Sequence, residues 1–177
     1  MTDFALLDLA RDIDARCRLH GRFTLRSGAT STEYFDKYLF EADPRLLRRV
    51  AEQMAGLVPA GTDLLGGLEL GGVPLATVLS QITGLPTLFV RKQAKTYGTG
   101  RLAEGGEFAG ATVTLIEDVI TTGGAVRAAA SALRDGGGLV TTVVCAIDRS
   151  PAAEHPLAAD DVAVRAVLTK DLLDRSR

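Results

Sequence analysis

The sequence predicts an α/β fold in which a central, mainly parallel β-sheet is flanked by helices. The first observation is that strand-like and helix-like apolar patterns alternate along most of the chain. Strands separated by single helices form right-handed βαβ units, so this alternation predicts a parallel sheet. The second is composition: 46% of the 177 residues are hydrophobic and 24% are charged, as in soluble globular proteins. No internal repeat or linker divides the chain, so residues 1–177 are predicted to form a single domain.

The amino-terminal segments are assigned from apolar spacing and from glycine and proline positions. Leu6, Leu9, Ile13 and Cys17 repeat at helical spacing, and Gly21 is expected to end that helix. Pro44 suits the first turn of a second helix. The predicted elements, in order, are a helix, a short apolar segment with a turn, an aromatic-rich strand and a helix: 5–19, 23–28, 31–40 and 44–61.

The remaining elements alternate in the manner of a parallel sheet. Strands are predicted at 63–70, 86–91, 112–116, 139–147 and 162–167, with helices at 73–82 and 125–134. Residues 93–109 are glycine-rich and charged with little periodicity, and the charged tail 170–177 is expected to be solvated surface. Ligands of such sheets bind beyond the carboxyl ends of the strands, at 68–72, 91–106, 117–125 and 148–150.

Composition also argues against several classes of protein. The net charge of −2 is unlike that of a dedicated nucleic-acid binder. The cysteines Cys17 and Cys145 lack metal-ligand spacing and are expected to be reduced thiols of a cytoplasmic protein. Asp3 and Asp8 interrupt the amino terminus, unlike a signal peptide, and no apolar run approaches the roughly 18 residues of a membrane span. We therefore expect neither nucleic acid nor membrane as a partner.

The most informative segment is a predicted strand followed by two acids, a threonine- and glycine-rich loop and a helix, at 112–125. Glycines allow successive backbone N–H groups to approach an anion, and the helix amino terminus adds its dipole. The loop lacks the Gly-Lys-Ser/Thr ending of a Walker motif and is not GxGxxG. Carboxylates at Glu117 and Asp118 can accept hydrogen bonds from ribose hydroxyls, so a sugar phosphate fits. The alternative is a plain strand–turn–helix corner with solvated acids.

This segment resembles the phosphoribosyl pyrophosphate (PRPP) signature of the type I phosphoribosyltransferases, in which two acids precede Val-Ile-Thr-Thr-Gly-Gly. The resemblance implies the fold of that family: a mainly parallel sheet flanked by helices, with a small hood formed mainly by residues 1–40. It also implies Mg²⁺ as cofactor. The ion would be held by PRPP and water, with no metal ligand expected from the protein, since Mg²⁺ tends to keep its water.

Three further segments resemble orotate phosphoribosyltransferases, so that the likeness covers about residues 4–150. Residues 91–100 resemble the catalytic loop, with the pattern Arg-Lys, two residues, Lys, one residue, His or Tyr, then Gly. Residues 23–28 and 31–36 resemble the hood, and 146–149 resemble a strand end that brings an arginine to the orotate carboxylate. The resemblance implies PRPP and orotate as substrates, and a homodimer whose mobile loops reach into the neighbouring subunit's site.

The same resemblance assigns roles to individual residues. The predicted catalytic cations, which suit a departing diphosphate, are Arg91, Lys92 and Lys95. The predicted PRPP-binding residues are these three with Arg26, Leu70, Gly71, Tyr97, Glu117, Asp118, Val119, Ile120, Thr121, Thr122, Gly123, Gly124 and Ala125. The predicted orotate-binding residues are Ser27, Gly28, Tyr34, Phe35, Thr121 and Arg149.

Several positions depart from the family pattern and leave alternatives open. Gly71 stands where relatives often have lysine. Without that side chain, diphosphate would be bound mainly by backbone amides. Arg26 replaces a common lysine, and Tyr97 a common histidine that would titrate nearer neutral pH. Glu69 can pair with a loop cation, help hold hydrated Mg²⁺ or serve as a structural partner. The aromatic pair 34–35 can line a base pocket or pack in the hood.

Three other functions compete with orotate transfer. A purine or xanthine phosphoribosyltransferase would share 117–125 but is not expected to carry this loop and hood. A non-catalytic PRPP-sensing regulator would be expected to show an added basic face or a DNA-binding helix pair. An orotate-type paralogue with a changed acceptor is kept open by Arg26, Gly71 and Tyr97.

Overall fold

The computed structural model describes residues 3–24, 28–93, 102–151 and 156–176. The helices are α1 (Asp3–Cys17), α2 (Tyr38–Glu41), α3 (Pro44–Ala55), α4 (Gly72–Thr83), α5 (Gly124–Asp135) and α6 (Lys170–Arg175). The strands are β1 (Arg18–Thr24), β2 (Thr30–Phe35), β3 (Leu64–Leu68), β4 (Thr87–Val90), β5 (Ala103–Glu104), β6 (Thr112–Ile120), β7 (Leu139–Asp148) and β8 (Ala163–Thr169).

The main sheet has six strands in the order β5-β4-β3-β6-β7-β8. All neighbouring pairs are parallel except β4 with the two-residue strand β5. Strands β1 and β2 form a separate two-stranded antiparallel sheet, the hood ribbon. This architecture confirms the predicted mainly parallel α/β sheet with helices around it.

Successive residues of the central strand face two different hydrophobic cores. Ile116 of β6 packs in the core with Ile13 of α1, Val50 of α3 and Leu75 of α4. Its neighbour Leu115 packs in the opposite core, which also contains side chains of α5. Burial on both faces explains why the strand has a continuous apolar run instead of an alternating one.

Local signals explain where two of the helices begin and end. Asp43 caps α3 by accepting hydrogen bonds from the backbone N–H groups of Arg45 and Leu46, and Pro44 occupies the first turn. Gly84 ends α4 in the left-handed conformation, with φ of 77°. The predicted end of α4 at this glycine is confirmed.

Several predicted boundaries were wrong. The first helix ends at Cys17, not near Gly21, because 18–24 pair with β2 across a register shift between His20 and Phe23. The predicted strand 31–40 ends at Phe35 and is followed by α2, and the second helix stops at Ala55, beside Gly56. The tail is not wholly solvated, because Leu173 of α6 is buried in the core.

The order of the strands fixes where a ligand can bind. Chain connections run outward from β3 to β4 on one side and from β6 to β7 and β8 on the other. The carboxyl ends of β3 and β6 therefore meet at a switch point, where open α/β sheets have their binding crevice.

Candidate active site

A cavity of about 440 Å³ lies at this switch point. Its walls come from the hood side, from the turn after β3, from the segment after β4, and from the end of β6 with the start of α5. The lining residues are Lys37, Tyr38, Glu69, Leu70, Lys92, Glu117, Asp118, Val119, Ile120, Thr121, Thr122, Gly123, Gly124, Ala125 and Val126. The structure thus brings together the described members of the predicted PRPP set, except that Arg91 and Gly71 are not among this lining.

The two acids lie within β6 and not beyond its end, so the predicted strand end at Ile116 was wrong. The strand continues to Ile120, and both carboxylates are buried. Glu117 Oε1 accepts a hydrogen bond from the backbone N–H of Asp118, at 2.9 Å. Asp118 Oδ1 accepts one from the backbone N–H of Val119, at 2.5 Å. The strand backbone therefore fixes both side chains at the cavity wall.

Asp118 is the charged member of a buried carboxyl cluster that also contains Glu41 and Glu117. Lys37 Nζ lies 2.5 Å from Asp118 Oδ2. Burial alone would raise the pKa of Asp118, but hydrogen bonds with Glu117, Glu41 and Lys37 bring it below its ordinary value. Burial, and then the contact with Asp118, raises the pKa of Glu117 well above its ordinary value and that of Glu41 to about 8. One carboxylate is thus paired with one ammonium, beside two carboxyls whose raised pKa values let them hold their protons to higher pH.

The loop after β6 has the shape of an anion cradle. Gly123 precedes α5 with φ of 71°, and a Cβ there would lie 2.8 Å from Leu157 Cδ2. Both conformation and space therefore require glycine. Thr121, Thr122 and the first residues of the 12-residue helix α5 are exposed at the cavity, where free amides and hydroxyls can donate to a phosphate.

The turn after β3 forms the opposite wall and has no room for side chains at its two glycines. A Cβ at Gly71 would lie 1.8 Å from Asp118 Oδ2 and 2.6 Å from Glu41 Oε1. A Cβ at Gly72 would lie 2.2 Å from the carbonyl oxygen of Ile116. The two glycines are therefore needed for the turn to approach β6.

Glu69 and the two cations after β4 form the entrance to the predicted catalytic loop. Glu69 Oε2 accepts a hydrogen bond from the backbone N–H of Lys92, at 2.9 Å, so its carboxylate connects the two loops. Arg91 instead lines a neighbouring cavity of about 190 Å³, together with Ala128 and Ala132 of α5. Within the described ranges, its buried Nε has no hydrogen-bond partner.

The predicted orotate residues do not all lie at the cavity of the switch point. Of the described ones, Thr121 lines it, whereas Phe35 and Arg149 line a separate cavity of about 300 Å³. Arg149 follows β7 and its backbone N–H donates to Ile120, at 2.8 Å, while its guanidinium lies 5.3 Å from the ring centre of Phe35. Tyr34 is 44% exposed and contacts Phe23, with ring centres 5.5 Å apart. Gly28 lies just before β2 with φ of 85°. The backbone of Arg149 is thus joined to the end of β6, with its guanidinium against Phe35 in the separate cavity, whereas Tyr34 contacts a hood partner.

Four predicted site residues lie outside the described residues: Arg26, Ser27, Lys95 and Tyr97. Sequence reasoning also missed three residues that the fold brings to the site: Lys37, Tyr38 and Glu41. The only local signal was an acid, a lysine and a tyrosine directly after an aromatic strand. That pattern does not indicate which distant strand the short helix α2 will contact.

Two features are absent from the part of the chain that the structure describes. It has no grouping of three or more His, Cys, Asp or Glu side chains suited to a metal ion. None of its helices is both long and apolar enough to cross a membrane.

Comparison with known proteins identifies the family. A family model described as a phosphoribosyl transferase domain matches residues 40–169. Orotate phosphoribosyltransferase of Nocardioides sp. is 70% identical over 169 residues, covering 96% of this chain and 94% of that protein.

Solved structures give the same assignment. A Mycobacterium tuberculosis orotate phosphoribosyltransferase in complex with Fe(III) dicitrate is 34% identical with a TM-score of 0.81, over 96% of this chain and 98% of that one. The enzyme in complex with 5-phospho-α-D-ribosyl 1-diphosphate is 28% identical with a TM-score of 0.79, over 96% and 99%. The predicted resemblance is confirmed: the chain belongs to the phosphoribosyltransferase family and, within it, to the orotate phosphoribosyltransferases.

Proposed function

We propose that this protein transfers the 5-phosphoribosyl group of PRPP to orotate, giving orotidine 5′-phosphate and diphosphate in pyrimidine nucleotide synthesis. The observation that carries the proposal is the cavity in which a buried acidic strand end, an anion cradle and a glycine turn meet. The 70% identity to an orotate phosphoribosyltransferase supports orotate as the acceptor.

PRPP would lie along the cavity with each part against a different wall. The 5′-phosphate would accept hydrogen bonds from the loop 121–125, where backbone amides and the helix dipole favour an anion. Glu117 and Asp118 would hold the ribose hydroxyls. The diphosphate would lie towards Leu70, Gly71 and Lys92. This arrangement fixes the anomeric carbon between the acids and the leaving group, so positioning would lower the barrier.

Orotate would bind on the hood side, with its carboxylate against Arg149 and its ring near Phe35 and Thr121. Its deprotonated ring nitrogen attacks the anomeric carbon as the bond to diphosphate breaks. The sugar becomes oxocarbenium-like, and negative charge grows on the leaving oxygen. Lys92 and Lys95 are proposed to stabilise that charge, with Lys95 as the first choice for protonating diphosphate. Closure of the loop would exclude water from the activated sugar.

Mg²⁺ fits this donor set. The cavity offers carboxyl oxygens at Glu69, Glu117 and Asp118, and oxygen is the ligand type that the ion prefers. An ion held by PRPP would keep water molecules that could donate hydrogen bonds to these oxygens. When bound, Mg²⁺ would neutralise part of the diphosphate charge.

We also propose a cytoplasmic homodimer with shared sites. Buried, unpaired Cys17 and Cys145 suit a reducing compartment. For the dimer, mixing a Lys95→Ala chain with an Asp118→Ala chain provides the test. Regained activity in the mixture would support loops shared between subunits, and no regain would contradict sharing.

The test of the function is an ultraviolet assay of orotate consumption with PRPP and Mg²⁺, run in parallel with uracil, adenine, guanine and xanthine. We expect only orotate to be consumed, and only when PRPP is present. Consumption of a purine with orotate unchanged would overturn the acceptor. Arg48→Met removes one cation of an exposed i,i+4 ion pair on α3, and it serves as the control for variants that remove a charge from the site.

A further inference from the structure

Lys37 is a cation of the site that the predicted residue set did not contain. It lies two residues after the hood strand β2 and directly before α2. Its side chain is 33% exposed and lines the cavity at the switch point, whereas Asp118, its partner at 2.5 Å, is fully buried. The ammonium therefore joins a buried carboxylate to the open cavity.

The turn after β3 cannot supply a cation of its own. Its residues 68–72 include no basic side chain. The space into which a side chain at Gly71 would grow is occupied by Asp118 Oδ2, at 1.8 Å from a Cβ, and this is the oxygen that Lys37 contacts. The ammonium and the turn thus border the same carboxylate oxygen from different directions.

A lysine ammonium has three donors and accepts none. One direction of Lys37 is used by Asp118, the ammonium lies 5.4 Å from the ring centre of Tyr38, and the partly exposed side chain lines the cavity. An anion held against the amides of the turn would therefore meet these remaining donors. Among the described cavity residues, the other cationic side chain is that of Lys92, on the opposite loop.

The contact with Asp118 keeps the side chain of Lys37 in its charged form. Burial alone would lower the pKa of Lys37, but the hydrogen bond and charge of Asp118 raise it. Glu41 lies against Asp118 with its pKa raised to about 8, so it adds little negative charge near neutral pH. The ammonium thus stays charged and is only partly neutralised by its one carboxylate partner.

We propose that Lys37 binds the diphosphate of the activated sugar, bridging it to Asp118, and so supplies from the hood the cation that the Gly71 turn cannot carry. This inference rests on the proposed function, because it requires a diphosphate-bearing ligand in the cavity. It differs from a purely structural role, in which Lys37 would only neutralise Asp118.

The experiment measures binding of Mg²⁺-diphosphate and of ribose 5-phosphate separately, by calorimetry, for the full chain and for Lys37→Met. We expect diphosphate to bind at least about tenfold more weakly, as for loss of a charge-assisted hydrogen bond, with ribose 5-phosphate affinity changed less than about twofold. An equal loss of affinity for both ligands, or no loss for either, would overturn the proposal. Arg48→Met should change neither affinity.

A second measurement needs no variant. Reductive methylation of lysines in the unaltered protein, followed by peptide mass spectrometry, reports how accessible Lys37 is. Diphosphate should slow its modification and ribose 5-phosphate should not, while Lys170 reacts at the same rate throughout. An unchanged Lys37 rate with diphosphate bound would contradict the contact. If Lys37→Met selectively loses diphosphate affinity but the unaltered protein does not consume orotate, the acceptor assignment fails and the Lys37 inference stands. If orotate is consumed while Lys37→Met binds diphosphate normally, the Lys37 inference alone fails.

Discussion

Gly71→Ala tests the close approach of the turn to the acidic strand. The added Cβ would start 1.8 Å from Asp118 Oδ2, and real contacts of this kind are at least 3.0 Å, so the carboxylate must move. It is fully buried, and moving it breaks contacts with the Val119 amide and Lys37. Hydrogen bonds to charged groups contribute about 1.5–3 kcal/mol, and overpacking costs about 1–3 kcal/mol. We expect a loss of roughly 3 kcal/mol, or roughly 6–12 °C in Tm.

The assay is urea unfolding followed by circular dichroism, with KM for PRPP measured on the same preparations. Gly56→Ala is the matched control, since Gly56 has φ of −70° and a Cβ there would be an ordinary 3.6 Å from the carbonyl oxygen of Gln53. The control should change the free energy of unfolding by less than about 0.5 kcal/mol. If Gly71→Ala matched the control in both stability and KM, the packing argument would be refuted.

Three further variants test other parts of the site. The pKa of Glu41 is raised from 4.5 to about 8, so the folded state keeps this proton longer than the unfolded chain. The free energy of unfolding should fall as pH rises from 4.5 to about 8, by at most about 1.4 kcal/mol per pH unit, and urea titrations should show a shallower fall for Glu41→Gln. Gly123→Ala, forced into left-handed backbone against Leu157, should lose about 1–2 kcal/mol and bind PRPP more weakly; wild-type affinity in calorimetry would contradict the cradle. Arg149→Met should raise KM for orotate at least about tenfold with KM for PRPP nearly unchanged, and the opposite pattern would remove Arg149 from the acceptor site.

The sheet and its cavity were predictable because their signals are local. Strands of the central sheet are short apolar runs, and the threonines and glycines of the loop 121–125 are adjacent in the chain, where the left-handed φ of Gly123 is a local requirement. The length of β6 was not predictable in the same way. Adjacent acids usually mark a solvated strand end. Here the contact of Lys37 with Asp118 and the raised pKa of Glu117 reduce the cost of burying the two acids within the strand.

Lys37 and Glu41 were missed for a related physical reason. Their roles depend on a contact between α2 and β6, elements far apart in the chain, and nothing in residues 36–41 specifies that partner. The end of α1 was misplaced because pairing of 18–24 with β2 outweighed the local tendency of glycine to end a helix. Tertiary contacts decided each of these cases.

The hood ribbon has a consequence for how the protein loses activity under mild denaturation. β1 and β2 pair only with each other among the described strands, whereas β6 is hydrogen-bonded to parallel neighbours on both sides. An isolated two-stranded ribbon is marginally stable and belongs to the parts of a fold that open first. Fraying there would displace the segment at Lys37, while the strand that carries Asp118 stayed protected from amide exchange. Turnover would therefore stop while most of the fold remained intact.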